Sequence, residues 1–282
     1  MKTAKIIVHC LVQNEGRFIW YAVNSVLPFV DKIMVWDMGS IDGTWEIISS
    51  IESDKLEKKR VAAATSPDDL TKVRQLMIET TPKEYTWLMI LDGDEIWPEK
   101  SIQTITEFAR NNPEFESIVI RTHNLVGDIY HTLPWSSGRY QLAGQRGHLN
   151  LRFMNLKKIS GLHIKRPHGS QGYFDAGEVL VQERDPKKIK FFDFTYHHAT
   201  HLPRSLVREG DLAVPKRKQK IKYELGSAIP SDEIPEVFFE KNKPALVPDL
   251  TVRAPLSFWI ISALLTPPRR LKRFLFKGKD GY

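Results

Sequence analysis

Short apolar runs alternate with amphipathic stretches along the first 122 residues of the chain. Residues 6–11, 32–36 and 87–90 are largely apolar and have the length of buried strands, whereas the segments between them space their apolar side chains as helices do. Residues 117–122 supply a further strand. Strands that alternate with helices predict helices packed on a largely parallel sheet, so we expect a Rossmann-like α/β fold in this part of the chain.

Four helices are predicted between these strands. Helical spacing over residues 18–27 ends at Pro28, because proline cannot continue a helix. Residues 45–51, 68–80 and 101–111 have the spacing of the other three. The first part of the chain therefore has enough helices to flank a central sheet.

The pattern changes after residue 122. Over residues 123–203 glycine and histidine become more frequent and helical spacing fades, which predicts short strands and loops. Loops on a rigid scaffold commonly carry recognition, so we interpret residues 1–122 as a cofactor platform and residues 123–203 as a variable substrate half. Residues 204–282 predict an extension with a helix over 204–225, a proline-rich stretch, an apolar run and a basic tail.

Composition limits the class of protein. A chain of 282 residues with 41% hydrophobic content can bury a substantial core. Its one cysteine, Cys10, excludes an intramolecular disulfide and favours a reducing compartment. Residues 1–5 lack a secretory signal, and no apolar run approaches the roughly 20 residues that span a bilayer. We therefore expect a cytoplasmic protein.

The positive charge is concentrated in the basic tail. Of the net charge of +7, six charges lie in that segment, which leaves +1 for the rest and argues against a nucleic-acid partner. The apolar run 256–265 precedes these cations, so residues 256–279 predict peripheral contact with an anionic membrane at its cytoplasmic face. The alternative is a core helix followed by a solvated tail. The six cations are Arg269, Arg270, Lys272, Arg273, Lys277 and Lys279.

Three carboxylates follow the apolar run 87–90 directly, in the sequence Leu91-Asp92-Gly93-Asp94-Glu95. Residues two apart on an extended backbone point the same way, so Asp92 and Asp94 can converge on one divalent cation. Gly93 would let a bulky ligand approach the main chain. The alternative is an acidic turn whose last carboxylates cap the next helix.

Two other strand-like runs also end in polar residues. The run 6–11 leads to Asn14-Glu15, and the run 32–36 ends at Asp37. Ligands of open α/β sheets bind beyond the carboxyl ends of the strands. We therefore interpret the three strand ends as parts of one site.

These motifs, in this order, resemble the opening of family 2 glycosyltransferases. The resemblance covers residues 6–97, about a third of the chain, and the rest matches only loosely. It implies a GT-A fold in which a Rossmann-like mixed sheet is flanked by helices. The segments that carry it are Asn14-Glu15, Asn24-Ser25-Val26-Leu27-Pro28, residues 30–44, Arg74-Gln75 and residues 87–95.

The resemblance also implies a nucleotide-sugar donor, a divalent metal and transfer with inversion. Asp94 would ligate the metal, Mn or Mg, and Asp92 would be shared between metal and ribose. Families of this fold often add a histidine from the second half, and His198 in the cluster 196–201 is our choice over His197. The alternative is a histidine that makes ordinary hydrogen bonds.

The donor pocket would use four further side chains. By resemblance, Asp37 would accept hydrogen bonds from the base or ribose, and Asn14 and Glu15 would line the nucleotide pocket. Arg74 would hold a donor phosphate. The alternatives are a turn residue for Asp37 and a solvated helical residue for Arg74.

Inversion requires a carboxylate that accepts a proton from the acceptor hydroxyl. The family pattern has a glutamate after the histidine at 163, but Ile164 occupies that place here. Asp175 and Glu178 are the nearest candidates for the catalytic base. Either could instead be a surface residue.

The sequence thus predicts a metal-dependent inverting glycosyltransferase that transfers a sugar to a glycan or lipid-linked acceptor, in cell-surface polysaccharide synthesis or a similar pathway. Residues 1–122 would bind the nucleotide sugar and residues 123–203 the acceptor, and residues 204–282 would form a helical extension. One alternative is a nucleotidyltransferase, against which the single glycine and the acid of residues 12–17 argue. Another is a nonenzymatic nucleotide-sugar or polysaccharide-binding protein.

Overall fold

The computed structural model describes residues 3–63, 66–167, 170–214 and 216–275. The strands are β1 (Ile6–Val12), β2 (Lys32–Asp37), β3 (Leu56–Arg60), β4 (Trp87–Ile90), β5 (Glu95–Ile96), β6 (Ser117–Asn124), β7 (His131–Thr132), β8 (Tyr140–Leu142), β9 (Gln145–Gly147), β10 (Leu149–Asn155), β11 (His163–Lys165), β12 (Gly172–Phe174), β13 (Ile189–His198) and β14 (Ser227–Ala228). The helices are α1 (Ile19–Val26), α2 (Thr44–Ser50), α3 (Pro67–Thr80), α4 (Glu99–Asn111), α5 (Arg208–Ala213), α6 (Arg217–Lys220) and α7 (Leu256–Leu275).

One mixed sheet of 8 strands organises the molecule, in the order β3-β2-β1-β4-β10-β6-β13-β5. The first four strands of that order are parallel to one another. Strand β10 runs antiparallel to both of its neighbours, β4 and β6, whereas β13 is parallel to β6. Strands from residues 123–203 therefore belong to the same sheet as the first part of the chain.

Helices cover both faces of this sheet because both faces of its central strands are apolar. On β1, Ile6 and Val8 contact the core beneath α1, α2 and α4, while Ile7 and Leu11 contact the core beneath α3. All seven residues of β1 are buried. Continuous apolar runs, rather than alternating ones, are what a strand covered on both faces requires.

The predicted α/β fold class is confirmed. The four predicted strands correspond to β1, β2, β4 and β6, and the four predicted helices correspond to α1 to α4. Each of these elements could be predicted from its own segment of sequence, because the apolar residues of that segment follow the pattern of the helix or strand that it forms.

Two predictions about elements were wrong or incomplete. The single helix predicted over residues 204–225 is replaced by the short helices α5 and α6. The backbone of Lys216 between them is left-handed, with φ of 61°, which interrupts a right-handed helix. Strand β3 was missed because its sequence, Leu-Glu-Lys-Lys-Arg, has only one apolar residue, as suits a strand at the edge of the sheet.

The apolar run 256–265 is the first half of a longer helix, α7, which continues to Leu275. Its second half carries cations of the predicted basic tail, and Lys277 and Lys279 lie outside the described residues. In the part of the chain that the structure describes, no helix is long and apolar enough to cross a membrane.

Candidate active site

The carboxyl ends of β1, β2 and β4 lie side by side at one edge of the sheet. Val12 of β1 pairs in register with Asp37, and the Leu91 amide donates to the carbonyl oxygen of residue 9 at 3.0 Å. Gly93 packs so closely on β1 that a Cβ there would lie 2.8 Å from Cγ of Glu15. The three polar segments predicted from the sequence are therefore neighbours.

Asp37 is fully buried and holds a turn. Its carboxylate accepts hydrogen bonds from the Ser40 amide, at 3.2 Å to each oxygen, and from the Ser40 hydroxyl. Arg60 Nε lies 3.2 Å from Oδ2. Burial raises the pKa of Asp37, and these hydrogen bonds oppose the rise. Asp37 thus shapes the loop after β2, where a nucleotide would lie.

Asn14 connects the same loop to the C-terminal extension. Its backbone is left-handed, with φ of 55°, a conformation that asparagine tolerates better than most residues. The side-chain oxygen accepts from the Ile41 amide at 2.9 Å, and the side-chain nitrogen donates to the Gly210 carbonyl at 3.0 Å. Both ends of this side chain are therefore engaged within the protein.

Glu15 is buried between two arginines of the extension. Its Oε1 lies 3.2 Å from Arg204 Nη1 and 2.5 Å from Arg217 Nη2, while Oε2 accepts no hydrogen bond. Burial raises the pKa of Glu15 to about 7, although both guanidinium groups act in the opposite direction. This carboxylate is buried beside the strand ends, where it pairs with Arg204 and Arg217.

Asp92 is partly exposed and paired with two arginines. Arg74 Nη2 donates to its Oδ1 at 2.7 Å, and Arg152 Nη2 donates to its Oδ2 at 3.2 Å. Burial alone would raise the pKa of Asp92, but these cations outweigh it and hold the pKa well below its usual value. The carboxylate is charged, and the predicted phosphate-binding Arg74 is its direct partner.

Asp94 faces His198 and is paired with Arg204. Asp94 is fully buried, and its Oδ2 lies 3.5 Å from His198 Nε2 and 2.9 Å from Arg204 Nη1. Among the described residues Oδ1 has no hydrogen-bond partner, while Oδ2 is ion-paired with Arg204. Burial favours the neutral acid, but Arg204 together with His198 and Arg217 outweighs it, and the pKa of Asp94 is lowered.

Strand alternation separates the neighbouring histidines. His197 and His198 are consecutive on β13, so their side chains lie on opposite faces of the sheet. His197 is fully buried beside His123 and Phe238, with ring centroids 5.6 and 6.0 Å away. Burial lowers the pKa of His198 to about 4, so its imidazole is neutral near pH 7 and can ligate a metal.

The side chains of Asp94 and His198 fit a divalent cation. Asp94 Oδ1 is free of hydrogen bonds, and a neutral imidazole with a carboxylate suits Mn or a similar ion. Asp92 fits less well because both its oxygens contact arginines. Within the described ranges, no three His, Cys, Asp or Glu side chains group closely enough to hold a metal alone. Phosphate oxygens and water would complete the coordination shell.

A second carboxylate network lies behind Asp92 and was not predicted from the sequence. Glu95 is fully buried, pairs with Arg152 and accepts a hydrogen bond from the Tyr196 hydroxyl at 2.9 Å. Arg152 Nε donates to the same hydroxyl at 3.1 Å, and Tyr196 stacks on Trp97 with ring centroids 4.6 Å apart. Arg152 is thus held rigidly where it reaches Asp92.

Arg152, Arg204 and Arg217 are the site residues that motif reading missed. The only available signal was charge balance, because several carboxylates buried at one edge require compensating cations. Nothing local identifies which cations supply that charge, since Arg204 and Arg217 lie about two hundred residues from Glu15 along the chain.

The two predicted catalytic bases lie in the turn that follows β12, next to the separate hairpin formed by β11 and β12. Asp175 Oδ1 accepts from the amides of Gly177 and Val179, at 2.9 and 3.0 Å, and Oδ2 contacts Arg184. Glu178 is exposed, and its Oε2 lies 2.6 Å from Lys165 Nζ. Among the described contacts, neither carboxylate touches Asp92 or Asp94.

A cavity of about 440 Å³ is lined in part by His198. Three cationic side chains line it, and no carboxylate does. Its histidines are held in place: His201 Nδ1 contacts the carbonyl oxygen of residue 220 at 2.8 Å, and His148 Nε2 contacts Ser137 Oγ at 2.9 Å. The cations are Arg139, Lys220 and Lys222.

Comparison with known families gives one match. The model described as Glycosyl transferase family 2 matches residues 8–163, which include the strand ends, Arg152 and most of the sheet. No functionally curated protein is similar enough in sequence to match the chain.

Solved structures give only remote likenesses. Glucosyl-3-phosphoglycerate synthase from Mycobacterium tuberculosis, in complex with Mn²⁺, UDP-glucose and phosphoglyceric acid, is 15% identical over 74% of this chain and 76% of its own, with a TM-score of 0.46. The 4-diphosphocytidyl-2C-methyl-D-erythritolsynthase of Anaerococcus prevotii is 10% identical over 74% and 94%, with a TM-score of 0.40. Rv0371c of M. tuberculosis is 12% identical over 44% and 69%, with a TM-score of 0.32. Likenesses of this degree carry no conclusion about function.

Proposed function

The chain belongs to glycosyl transferase family 2, and from that premise we propose a metal-dependent, inverting transfer of a sugar from a nucleotide-diphosphate donor to a glycan or lipid-linked acceptor. It is an enzyme of the glycosyltransferase type. The observation that carries the proposal is the pair of Asp94 and His198: Asp94 Oδ2 lies 3.5 Å from His198 Nε2 and 2.9 Å from Arg204 Nη1, while Oδ1 has no hydrogen-bond partner among the described residues.

Asp94 and His198 would hold the divalent ion, Mn or Mg, and Asp92 would contribute through the ribose or the metal. The bound ion would neutralise the negative charge that develops on the departing diphosphate. The protein's own part is to present a charged Asp94 and a neutral His198, which the lowered pKa values of both residues support.

Donor binding would use the loops after β1 and β2 together with the arginines around Asp92. Asp37 and Asn14 fix the turn at Ser40, and with Glu15 they would form the nucleotide pocket. Arg74 and Arg152 both contact Asp92, and Arg152 also pairs with Glu95, so both guanidinium groups would lie beside a diphosphate bound at Asp92. Residues 1–122 would thus bind the donor, with Arg152 added from the second half.

The acceptor would bind in the cavity beside His198, which residues 123–203 and the start of the extension line. Neither predicted base lines this cavity, so the acceptor would extend from it to the turn after β12, and of the two we assign the catalytic base to Glu178 before Asp175. Both oxygens of Asp175 are engaged by the turn and by Arg184, whereas Glu178 is exposed and contacts two side chains, Lys165 and, at 3.5 Å, His163 Nε2. A carboxylate in this role accepts the proton of the attacking hydroxyl as that oxygen bonds to the anomeric carbon.

Incubation with a panel of nucleotide-diphosphate sugars, with and without Mn²⁺ or Mg²⁺, tests the proposal. We expect one donor to release its nucleoside diphosphate in a metal-dependent reaction. Release of pyrophosphate from a nucleoside triphosphate and a sugar phosphate would instead identify a nucleotidyltransferase. Tight binding of a donor without any turnover, in the presence of glycan and lipid-linked acceptors, would identify a binding protein.

A further inference from the structure

Among the described side chains of helix α7, the fully buried ones are polar, the aliphatic ones are exposed, and Phe258 and Trp259 are partly buried. Ser262 and Thr266 are buried, and Thr266 Oγ1 accepts a hydrogen bond from the Leu225 amide at 2.8 Å. Arg273 reaches the buried carboxylate of Glu224, with Nη1 3.1 Å from Oε2. This is the reverse of an ordinary surface helix, whose apolar face is buried.

The outward face of α7 carries a line of large apolar side chains, interrupted between Leu264 and Leu271 by Pro267 and Pro268, which we call the leucine stripe. The spacing of its members is that of one helical face. Leu256, Leu264 and Leu271 have 74%, 73% and 58% of their surface exposed, and Ile260 and Leu275 have 55% and 61%. At the rise of an α-helix, the stripe is about 29 Å long. Exposed apolar surface of this extent marks a binding surface.

Charge determines which partner fits this surface. The sequence of α7 has no carboxylate, and four of its last seven residues are cations: Arg269, Arg270, Lys272 and Arg273. A second copy of α7 would bring more positive charge and no anion, so self-association through the stripe is disfavoured. An anionic bilayer offers hydrocarbon for the stripe and acidic headgroups for the cations.

Helix α7 packs against the rest of the protein, so a membrane that binds α7 would also hold the rest of the protein at its surface. Trp259 packs on His131, with ring centroids 4.4 Å apart, and Phe258 packs on Tyr223 at 5.3 Å. The segment that α7 holds, residues 223–225, directly follows Lys222 of the acceptor cavity.

We propose that α7 is a membrane-binding helix that lies in the plane of an anionic bilayer, with the leucine stripe in the hydrocarbon and the cations at the headgroups. The helix does not cross the membrane. It brings the acceptor cavity to the surface that would carry a lipid-linked acceptor. The inference rests on α7 alone and does not depend on the donor or metal chemistry.

Co-sedimentation of the full chain with vesicles tests the proposal. We expect binding to vesicles of equal parts phosphatidylcholine and phosphatidylglycerol, and much weaker binding to phosphatidylcholine alone. The triple variant Ile260→Gln, Leu264→Gln, Leu271→Gln should bind roughly tenfold or more weakly, because three apolar side chains no longer enter the hydrocarbon. All three positions are exposed, so its melting temperature should equal that of the wild type.

A matched triple variant at exposed apolar positions elsewhere, Leu212→Gln, Phe239→Gln, Leu246→Gln, should bind vesicles as the wild type does. Arg270→Glu, at an exposed position of α7, should weaken binding to the anionic vesicles without altering melting. The proposal is overturned if the wild type does not sediment with anionic vesicles, or if the α7 triple variant binds them equally well. It is also overturned if sedimentation velocity reveals a dimer that the α7 variant abolishes while vesicles are not bound.

Discussion

Asp94 and His198 meet because two short stretches of backbone pair. Strand β5 pairs antiparallel with the end of β13, with His198 opposite Glu95, and the Ala199 amide donates to the Asp94 carbonyl at 2.9 Å. This pairing fixes both main chains, so the two side chains can face each other without reorganisation. Preorganised ligands of this kind favour tight metal binding.

His198→Ala should weaken Mn²⁺ binding and Mn²⁺-supported turnover more than His197→Ala, because only His198 faces Asp94. His197→Ala should act on stability instead, since His197 is fully buried beside Phe238. Metal titration and thermal melting of the two variants separate these effects. Equal, small losses of metal affinity in both variants would contradict the assignment of His198.

Glu178→Gln should lower turnover on the order of a hundredfold while leaving donor affinity unchanged, as expected of a group that acts in the transition state. Asp175→Asn should lower the melting temperature, because Asp175 holds its turn and pairs with Arg184. For both variants, single-turnover kinetics measure the rate of transfer and donor titration measures the affinity for the donor. Full activity of Glu178→Gln would remove Glu178 from the mechanism.

The residues that could be predicted from the sequence were those with a local signal. Asp92 and Asp94 follow an apolar strand directly, and His198 ends one. Arg152, Arg204 and Arg217 could not be predicted, because their role depends on which distant segments the fold brings to Glu15 and Asp92. A single arginine in a loop or short helix carries no periodic signal.

At the scale of elements, α6 ties the extension to the end of β1. Arg217 is almost fully buried and donates to the carbonyl oxygen of Gln13 at 2.8 Å, in addition to its ion pair with Glu15. This contact joins two elements about two hundred residues apart and explains why α6, only four residues long, has a fixed position.

Arg217→Gln should destabilise the protein by about 3 kcal/mol, because it leaves Glu15 buried with one fewer cation. Arg208→Gln, at an exposed position of α5, is the matched control and should change stability by less than about 0.5 kcal/mol. Chemical denaturation measures both. In the double variant with Glu15→Gln the loss should be smaller than the sum of the single losses. Wild-type stability of Arg217→Gln would show that α6 does not anchor β1.

Elements were predictable where their pattern was amphipathic or wholly apolar. Helices α1 to α4 and strands β1, β2, β4 and β6 have such patterns. The charged edge strand β3 does not, and neither do the short strands of residues 131–174. Strands of two or three residues depend on their partners, so no local period can identify them.

At the scale of the whole molecule, buried histidines make stability depend on pH. His9 lies in the middle of β1, almost fully buried, with Nε2 2.8 Å from Thr81 Oγ1. Burial lowers its pKa to about 3, with a further contribution from Arg74. The unfolded chain therefore binds a proton that the folded chain excludes, and stability falls as pH decreases from about 6.5 toward 3.

His9→Gln, which can keep the contact with Thr81, should reduce this pH dependence. Between pH 6.5 and 5, the wild type should lose about 2 kcal/mol more than the variant, from one proton at about 1.4 kcal/mol per pH unit. Thr81→Val removes the partner and keeps the histidine, so its pH slope should remain that of the wild type. Denaturation curves at several pH values give the slopes. A constant difference between wild type and His9→Gln would mean that His9 is not held neutral.

The central claim is that Asp94 and His198 hold a divalent ion together with the diphosphate of the donor. Thermal shift with each common nucleoside diphosphate, in the presence and absence of Mn²⁺, tests it most directly, because a ligand that binds the folded state raises the melting temperature. We expect one nucleoside diphosphate to stabilise the wild type only with Mn²⁺, and not to stabilise Asp94→Asn. Asp193→Asn, at a carboxylate paired with Arg121 outside the site, should respond as the wild type does. Stabilisation of Asp94→Asn equal to that of the wild type, with the same dependence on Mn²⁺, would contradict the account.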